Sequence, residues 1–494
     1  MIILTSSMGI KGNIMLWTVV LFGCSFMYSC NKAQIESPSV KSSELAVISD
    51  PVDFDLDEII LNGTLKAIVD NSSTSYFIYK GQPMGYEYEL LSLLADELGL
   101  KLELIITSNI DEAFEKLNTG EGDIIAYSLT VTKDRRKKVA FTKSHYTVRQ
   151  VLVQMKPDNW RKMKLHEIEK ILIRNQVSLI GKEIYVRGSS SYLDRLRNLS
   201  DEIGGDIIIL EDQLNLETEA LIKMVAQGEI KYTIADEDIA MVNATYYPNI
   251  DIQTPISFPQ QIAWALRRNS KQLKDTIDWW IDKMKRGPVY NVIYTKYFKS
   301  PRTTKILARS NYASFSGDNL SPYDDLLKLA ADSLGWDWRL FASQAYQESK
   351  FNAKAISWAG ARGLMQMMPA TGLDYGAKDL LNPEQNISAA IKFLSYLNQT
   401  WKDRVANQSD LIKFVLASYN VGVGHVIDAR ALATKYGKDP ELWENVEEFL
   451  LKKSQPKYFK DPVVKSGYCR GEEPVNYVKE ILNRYQQYLQ LINN

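Results

Sequence analysis

Apolar and polar positions follow two different rhythms along this chain, and the change between them falls near residue 300. From about Leu61, short apolar runs alternate with stretches of helical spacing. "TLKAIVD" (64–70) predicts a strand, and "YEYELLSLLADELGL" (86–100) places Leu90, Leu91, Leu94 and Leu98 on one helical face. "KLELIIT" (101–107) predicts the next strand, "DEAFEKLNTG" (111–120) a helix closed by Gly120, and "GDIIAYS" (122–128) a third strand. This β-α-β-α-β order predicts an α/β sheet with its function at strand-to-helix loops. A second such set runs from about 151 to 250, through "SLIGKEIYV", "DIIILE", "ALIKMVAQGEI" and "KYTIADEDIA". "IAWALRRNSKQLKDTIDWWIDKMKRG" (262–287) then returns to a strand and a long helix, as two lobes joined by crossing segments would require. After 300 the β pattern stops, a polar connector follows, and from Asp324 nearly every segment has helical period.

A chain of 494 residues implies two to four domains rather than one core. Hydrophobic content of 45% and charged content of 24% are ordinary for a soluble globular protein. A net charge of −1 gives no support for nucleic-acid binding. Three histidines and three cysteines leave little material for a metal site, and no cofactor is expected. The N-terminus changes the picture more. Lys11 precedes the apolar run "IMLWTVVLFGCSFMYSC", short for a spanning helix, which ends in Cys30 before a Ser-rich stretch. That is the form of an export signal over 1–30, followed by a polar tether over 31–57. Ser29-Cys30 resembles the lipidation site of bacterial lipoproteins, with Cys24 as the alternative and an ordinary cleaved signal as the plainer reading.

Candidate chemistry appears first at residues 122–146, "GDIIAYSLTVTKDRRKKVAFTKSHY". Taken alone, a run such as "KDRRKK" reads as a solvated face. The segment as a whole resembles the signature of family 3 periplasmic solute-binding proteins, which capture amino acids, through Ser128, Thr130, Arg135, Phe141, Thr142 and Tyr146. A free α-carboxylate calls for a guanidinium with hydroxyl and backbone donors, and an α-ammonium for a carboxylate opposite it. The resemblance places that acid at Asp236, in "GEIKYTIADED". Ser189 and Ser190 open a predicted helix, where backbone N–H groups also favour an anion. The implied ligand is an amino acid or a muropeptide.

The helical half carries "QAYQESKFNAKAISWAGARGLMQMMPATG" (344–372), in which Glu348 is the only acidic residue. Phe341, Ala345 and Glu348 share one helical face, so the carboxyl should be pushed towards a neutral-range pKa. From position alone, a lone buried glutamate reads most simply as a satisfied helix residue. Its surroundings resemble, almost residue for residue, the catalytic segment of the soluble-lytic-transglycosylase (goose-lysozyme-like) domain. The shared positions are Glu348, Ser349, Phe351, Ala355, Ser357, Gly360, Ala361, Gly363, Leu364, Met365, Gln366, Pro369 and Thr371, with Tyr419, Asn420 and Gly422 further on. The last motif is altered: "EPVNYV" keeps Glu473, Tyr477 and Val478, while Pro474 and Val475 stand where the family has Thr and Arg.

The resemblance implies that Glu348 serves first as acid and then as base on peptidoglycan. The bond cut is the β-1,4 link between N-acetylmuramic acid and N-acetylglucosamine, and the product is a 1,6-anhydromuramoyl end. The activity the resemblance implies is that of a carbon–oxygen lyase acting on a polysaccharide. Ser357, Gln366, Tyr419, Asn420 and Tyr477 inherit sugar-binding or positioning roles. The methionines and Gly363 are expected to form an apolar floor under a pyranose ring, or in part to fill the core.

The order of segments resembles the membrane-bound lytic murein transglycosylase F family. It implies a two-lobed α/β periplasmic-binding-protein-like domain (58–300, second lobe about 151–250), a connector (301–323) and an all-α, lysozyme-like α+β catalytic domain (324–494). The family expectation is a lipid anchor in the outer membrane, facing periplasmic peptidoglycan. A goose-type hydrolase with the same acid, and a ligand sensor with a catalytically silent helical domain, are the rival readings.

Overall fold

The computed structural model describes residues 49–492 apart from 108, 189, 213–215, 301–309, 316 and 318. The predicted export signal, with Cys30 and the alternative Cys24, lies outside the described residues, as do Ser189 and the first part of the connector. No described helix is long and apolar enough to cross a membrane.

The first lobe begins with α1 (Leu56–Asn62), β1 (Thr64–Val69), a hairpin of β2 (Phe77–Tyr79) and β3 (Gln82–Met84), and α2 (Tyr86–Leu98). It continues through β4 (Lys101–Ile106), α3 (Ile110–Asn118), β5 (Ile124–Ile125), α4 (Arg135–Lys138) and β6 (Ala140–Phe141). After β7 (Tyr146–Val148) come the second-lobe elements β8 (Gln150–Met155), α5 (Leu165–Ile171), β9 (Glu183–Val186), α6 (Ser191–Ile203) and β10 (Ile208–Glu211). That lobe closes with α7 (Thr218–Gln227), β11 (Tyr232–Asp236), α8 (Glu237–Tyr246) and β12 (Ile250–Pro255). The chain returns along β13 (Gln260–Ile262), antiparallel to β7, and β14 (Ala265–Leu266), α9 (Lys271–Arg286) and α10 (Pro288–Tyr294) complete the first lobe. The sheet orders are β4-β1-β5-β14-β6 and β10-β9-β11-β8-β12. The β7/β13 ribbon is the double crossing that the pattern of the two lobes required.

Local sequence explains the joints. Helix α2 starts after Gly85, whose φ of 140° is needed because a Cβ there would stand 1.9 Å from the Ser75 carbonyl oxygen. Leu90, Leu91 and Leu94 are buried as the periodicity predicts, whereas Leu98, in the last turn, is only partly covered. Arg267, fully buried, ties the first lobe together: its guanidinium pairs with Asp123 at 3.0 Å and donates to the carbonyls of Leu117 and Gly122. Asp123 also accepts from the Lys66 backbone at 3.0 Å. A buried ion pair of this kind repays its desolvation only through such complete hydrogen bonding.

The helical half comprises α11 (Asp324–Leu334), α12 (Trp338–Ser349), α13 (Pro369–Asp374), α14 (Pro383–Lys402), α15 (Gln408–Val421), α16 (Val423–Lys435), α17 (Trp443–Lys452), α18 (Pro456–Phe459) and α19 (Glu472–Leu491). Its first long helices and its last one clasp each other: Ser343 donates to the Ile481 carbonyl at 2.7 Å across α12 and α19. Between α12 and α13 the chain forms isolated bridges, Ile356 to Arg362 and Arg362 to Met367, so a small β element interrupts the helices.

The first α/β lobe and the helical half share one hydrophobic core, while the second lobe packs around its own. The described end of the connector is paired rather than loose. Lys80 donates to the Tyr312 carbonyl and Ser314 to the Ile78 carbonyl, each at 2.9 Å, which adds a short strand to β2. Phe315 then packs edge-on against Phe77 and Tyr246, one ring from each lobe. At the hairpin tip, Lys80 and Gly81 adopt positive φ, and the buried Tyr488 hydroxyl donates to the Gly81 carbonyl at 2.9 Å. A Cβ on Gly81 would lie 2.6 Å from the rings of Tyr346 and Phe351. Gly81→Val is therefore expected to lower unfolding free energy by about 1–3 kcal/mol through overpacking and backbone strain. Differential scanning calorimetry of the full chain would read this as a lower, broadened transition, and an unchanged thermogram would show that the hairpin does not bear on the helical half.

Candidate active site

Glu348 sits in the last turn of α12, where the chain breaks sharply: Lys350 and Phe351 both take left-handed backbone, with φ of 52° and 60°. That break leaves Glu348 at the end of a well-buried helix yet itself only partly buried, where a fully core-facing position was expected.

Among the described residues, the carboxyl has one direct hydrogen-bond partner. The Tyr477 hydroxyl, from α19, donates to Glu348 Oε1. Gln344, one helical turn before Glu348, donates to the same phenol oxygen at 3.2 Å and fixes its direction. Burial pushes the Glu348 pKa up to about 7, and the Tyr477 hydrogen bond pulls it back in part. Tyr419 and Tyr477 are pushed well above the ordinary tyrosine range by burial, with the Glu348 charge adding to both shifts. The three groups therefore form one electrostatic cluster.

The segment after Glu348 folds back on itself. Ser357 accepts from the Ala361 backbone at 3.0 Å, and Arg362 and Met367 exchange backbone hydrogen bonds. Gln366, at a φ of 45°, donates to the carbonyls of Ala355 at 3.2 Å and Gly363 at 2.8 Å. Tyr419 donates to the Met365 carbonyl at 2.7 Å, which clamps this loop to α15. Ser357, Gln366 and Tyr419 thus brace the loop and remain partly exposed, while Asn420 is exposed on the last turn of α15.

Two expectations need correction. Met365 and Met367 are buried core residues, and Met368 alone is exposed, so the methionines do not make a sugar floor. Gly363 serves close backbone approach instead, since a Cβ there would stand 2.1 Å from the Leu380 carbonyl oxygen. Sequence reasoning also missed Asn386, which is fully buried. It accepts from the Met365 backbone at 2.8 Å and donates to the carbonyls of Arg362 and Leu380. A lone Asn in a helix gives no sign of such work. Trp358, fully exposed at the loop tip, was missed as well. At the altered C-terminal motif, Pro474 and Val475 are buried and Glu473 is exposed in the first turn of α19.

A second constellation lies between the α/β lobes. Ser128, Thr130, Arg135, Ser190 and Asp236 line one cavity of about 60 Å³, together with Asp70 and Arg187. Arg135 is half-buried rather than part of a solvated run, and donates to the Thr130 carbonyl at 3.1 Å. Arg187 pairs with Glu217 at 2.6 Å, and Ser190 donates to the Arg187 carbonyl at 2.6 Å. Ser191 and Thr130 meet across the lobes at 3.4 Å. Asp236 Oδ1 and Asp70 Oδ1 are buried without a hydrogen-bond partner. Sequence reasoning missed Asp70 and Arg187, although each directly follows a strand and so stands where α/β sheets present their ligands.

Comparison with known proteins accounts for both halves. Residues 65–300 match the family described as bacterial extracellular solute-binding proteins, family 3, and residues 325–442 match the transglycosylase SLT domain. A protein of Desulfosudis oleivorans named membrane-bound lytic murein transglycosylase F is 34% identical over 424 residues, 86% of this chain and 89% of that protein. Its namesake from Saccharophagus degradans is 31% identical, covering 88% of this chain and 84% of that protein. Among solved structures, an ancestral arginine-binding protein bound to arginine is similar with a TM-score of 0.40 and 21% identity, over 48% of this chain and 98% of that one. The ancestral amino acid-binding protein AncCDT-1 gives a TM-score of 0.40 and 25% identity, over 49% of this chain and 98% of that one.

The Glu348 environment yields a direct test. Titration of the Glu348 carboxyl, followed by carbon-13 NMR in the intact protein, should show a midpoint at about pH 7. Tyr477→Phe removes a donor that favours the anion, so the midpoint should rise further; a midpoint in the ordinary glutamate range would refute the burial argument.

Proposed function

The chain belongs to the membrane-bound lytic murein transglycosylase F family, and from that premise we propose that Glu348 is the one acid–base group of a peptidoglycan lytic transglycosylase. The family supplies the reaction: cleavage of peptidoglycan glycan strands by a lyase rather than by hydrolysis. What is proposed is how these residues perform it. Protonated Glu348 donates to the glycosidic oxygen between N-acetylmuramic acid and N-acetylglucosamine as the C1–O4 bond breaks. The muramoyl C6 hydroxyl then attacks C1, the new C1–O6 bond closes the anhydro ring, and the hydroxyl proton passes to Glu348. The acid is regenerated and no water is consumed.

The observation that carries this reading is a carboxyl whose titration is set by burial and a phenol, at about 7. A group with that pKa is protonated often enough to act as acid, and its anion is weak enough to release the proton again. Hydrolysis by two carboxylates would require a partner acid at a defined separation. Tyr477 is a positioning residue that stabilises the anion between the two steps, and Gln344 holds Tyr477. Ser357, Gln366, Tyr419 and Asn420 shape the wall against which the sugar lies.

The finer parts of the reading concern place and control. The relatives' name says membrane-bound, and the N-terminal pattern supports attachment through a lipid on Cys30, or on Cys24, with the outer membrane as the proposed site. The cleft between the lobes, with Arg135 for a carboxylate and Asp236 for an ammonium, takes an amino acid or the peptide part of a muropeptide. Its occupancy reaches the catalytic half through Phe315, which touches both lobes, and through the hairpin tip against Tyr346 and Phe351, on either side of Glu348. Such coupling requires the ligand to favour one arrangement of the lobes over the other.

Digestion of purified sacculi, followed by mass spectrometry, is expected to give anhydromuropeptides. Glu348→Gln should reduce them by about 10²–10⁴-fold, the usual worth of a general acid–base group. Reducing muropeptides from the wild type would instead make the enzyme a lysozyme-type hydrolase. The rate should hold below pH 7 and fall as pH rises through about 7, since the acid form of Glu348 is then lost. For control, Phe315→Ala should leave basal cleavage intact and abolish any rate change caused by a bound amino acid. A response of unchanged size would rule out the Phe315 route.

A further inference from the structure

We infer that Trp358 is a stacking platform for a pyranose ring of the glycan strand, the apolar counterpart to the polar wall around Glu348. This rests on the reading of the Glu348 site as a transglycosylase acting on peptidoglycan. The argument begins with what a sugar presents. A pyranose in a β-1,4 strand carries hydroxyl and amide groups around its rim and C–H bonds on its faces. A site that grips it therefore offers polar groups at the side and an apolar surface against one face. The polar groups are in place, since Ser357, Gln366, Tyr419 and Asn420 are partly or fully exposed. The apolar surface does not come from Met365 or Met367, which are buried. Nor does Tyr419 offer a free ring: it packs against Phe393 with centroids 5.3 Å apart, and its hydroxyl is bound to the Met365 carbonyl.

Trp358 supplies that surface. Trp264 and Trp401 are fully buried and even the surface Trp279 is half covered, whereas Trp358 is fully exposed. Leaving an indole in water forgoes the burial that the other tryptophans obtain. Exposure on a loose tip would be incidental, but this tip is fixed. Gly360 donates to the Ser357 carbonyl at 3.0 Å, Ser357 donates to the Ala361 carbonyl at 2.9 Å, and the Ser357 hydroxyl accepts from the Ala361 N–H at 3.0 Å. These bonds close a tight turn with Trp358 inside it. Bridges from Ile356 to Arg362 and from Arg362 to Met367 hold its base, and the buried Asn386 fastens the Met365 N–H and the Arg362 carbonyl from α14. A tryptophan held this way gives a large contact area at low entropic cost, because only two side-chain torsions are left to fix.

Position decides what the indole meets. It is adjacent to Ser357, and Gln366 reaches across the same loop to the Ala355 carbonyl at 3.2 Å, so one braced segment carries both the polar wall and the aromatic ring. The substrate is a polymer and continues past the two sugars at the scissile bond, along whatever the wall runs into. Among the exposed residues of this loop, Asn352, Lys354 and Arg362 are polar or charged and Ile356 is apolar. A single aromatic face in largely polar surroundings suits one sugar ring, whereas a protein or lipid contact calls for a broad apolar patch.

The test is steady-state kinetics of the full chain on soluble peptidoglycan strands. Trp358→Ala should raise KM about three- to tenfold, the worth of one aromatic stack, with a much smaller change in kcat. Trp358→Phe should restore most of the affinity. Because the side chain is fully exposed, both variants should keep the wild-type thermal transition, so that a lost affinity is not a folding defect. Binding is read separately in Glu348→Gln, which leaves strands uncut: tryptophan emission should move to shorter wavelength as strands are added, and Trp358→Phe in that background should abolish the shift. An unchanged KM in Trp358→Ala, or a fall in kcat alone, would overturn the proposal and leave the Glu348 chemistry standing. An emission shift with phosphatidylglycerol vesicles but none with strands would also overturn it and give the indole to a membrane surface. If the wild type yields no anhydromuropeptides, the reading of Glu348 fails, and the strand-binding measurement then decides for or against Trp358 by itself.

Discussion

The hydrogen bond from Tyr477 to Glu348 is the point on which the catalytic half turns. It joins residues 129 positions apart, one on α12 and one on α19, so it exists only when the first and last long helices of the domain are clasped. Ser343 to Ile481, Arg484 to the Ser343 carbonyl and Gln347, and Gln344 to Tyr477 hold that clasp along its length. The phenol does two opposed things. It brings protein mass over the carboxyl, which favours the neutral acid, and it offers a donor, which favours the anion. A value of about 7 lies where both protonation states are usable in one turnover. A deeper carboxyl would never release its proton, and a more exposed one would never hold it.

The α/β half leans on the same two helices. Gly81, at the tip of the β2–β3 hairpin, fits against Tyr346 and Phe351, which bracket Glu348 in sequence, and accepts from Tyr488 on α19. The connector strand on β2 and the Phe315 ring complete the contact. Anything that shifts this hairpin moves side chains packed beside the clasp. Packed interfaces favour discrete arrangements over continuous deformation, which is the physical basis of the proposed route from the lobes to Glu348.

Much of this was legible in the sequence, for physical reasons that can be named. The lobes followed from apolar periodicity, since strands such as β1 and helices such as α2 must bury one side. Glu348 was not legible from its position alone; it stood out because the residues around it, from Ser349 to Thr371, resemble the transglycosylase catalytic segment. The residues lost to sequence reasoning are those whose role depends on long-range approach. Asn386 looks like any helix Asn until the Met365, Arg362 and Leu380 backbones arrive around it. The methionines were misplaced because periodicity cannot separate a core filler from a binding floor. Arg135 was obscured by its basic neighbours, Arg136 and Lys137, which are exposed while Arg135 turns inward. The connector looked polar throughout, and only the open edge of β2 made a strand of residues 312–314.

The two constellations in this molecule use burial of a carboxyl group to opposite ends. At Glu348, burial is tempered by one phenol and, among the described residues, no cation, so the group titrates at about 7, as the proposed proton exchange with a sugar requires. In the cleft, burial falls on several acids at once, and Asp70 and Asp236 keep oxygens with nothing to bind. A proton would relieve them only one at a time and would bring no shape. Asp70 follows β1 in one lobe and Asp236 ends β11 in the other, so these buried acids lie where the lobes meet, beside the Ser191–Thr130 contact.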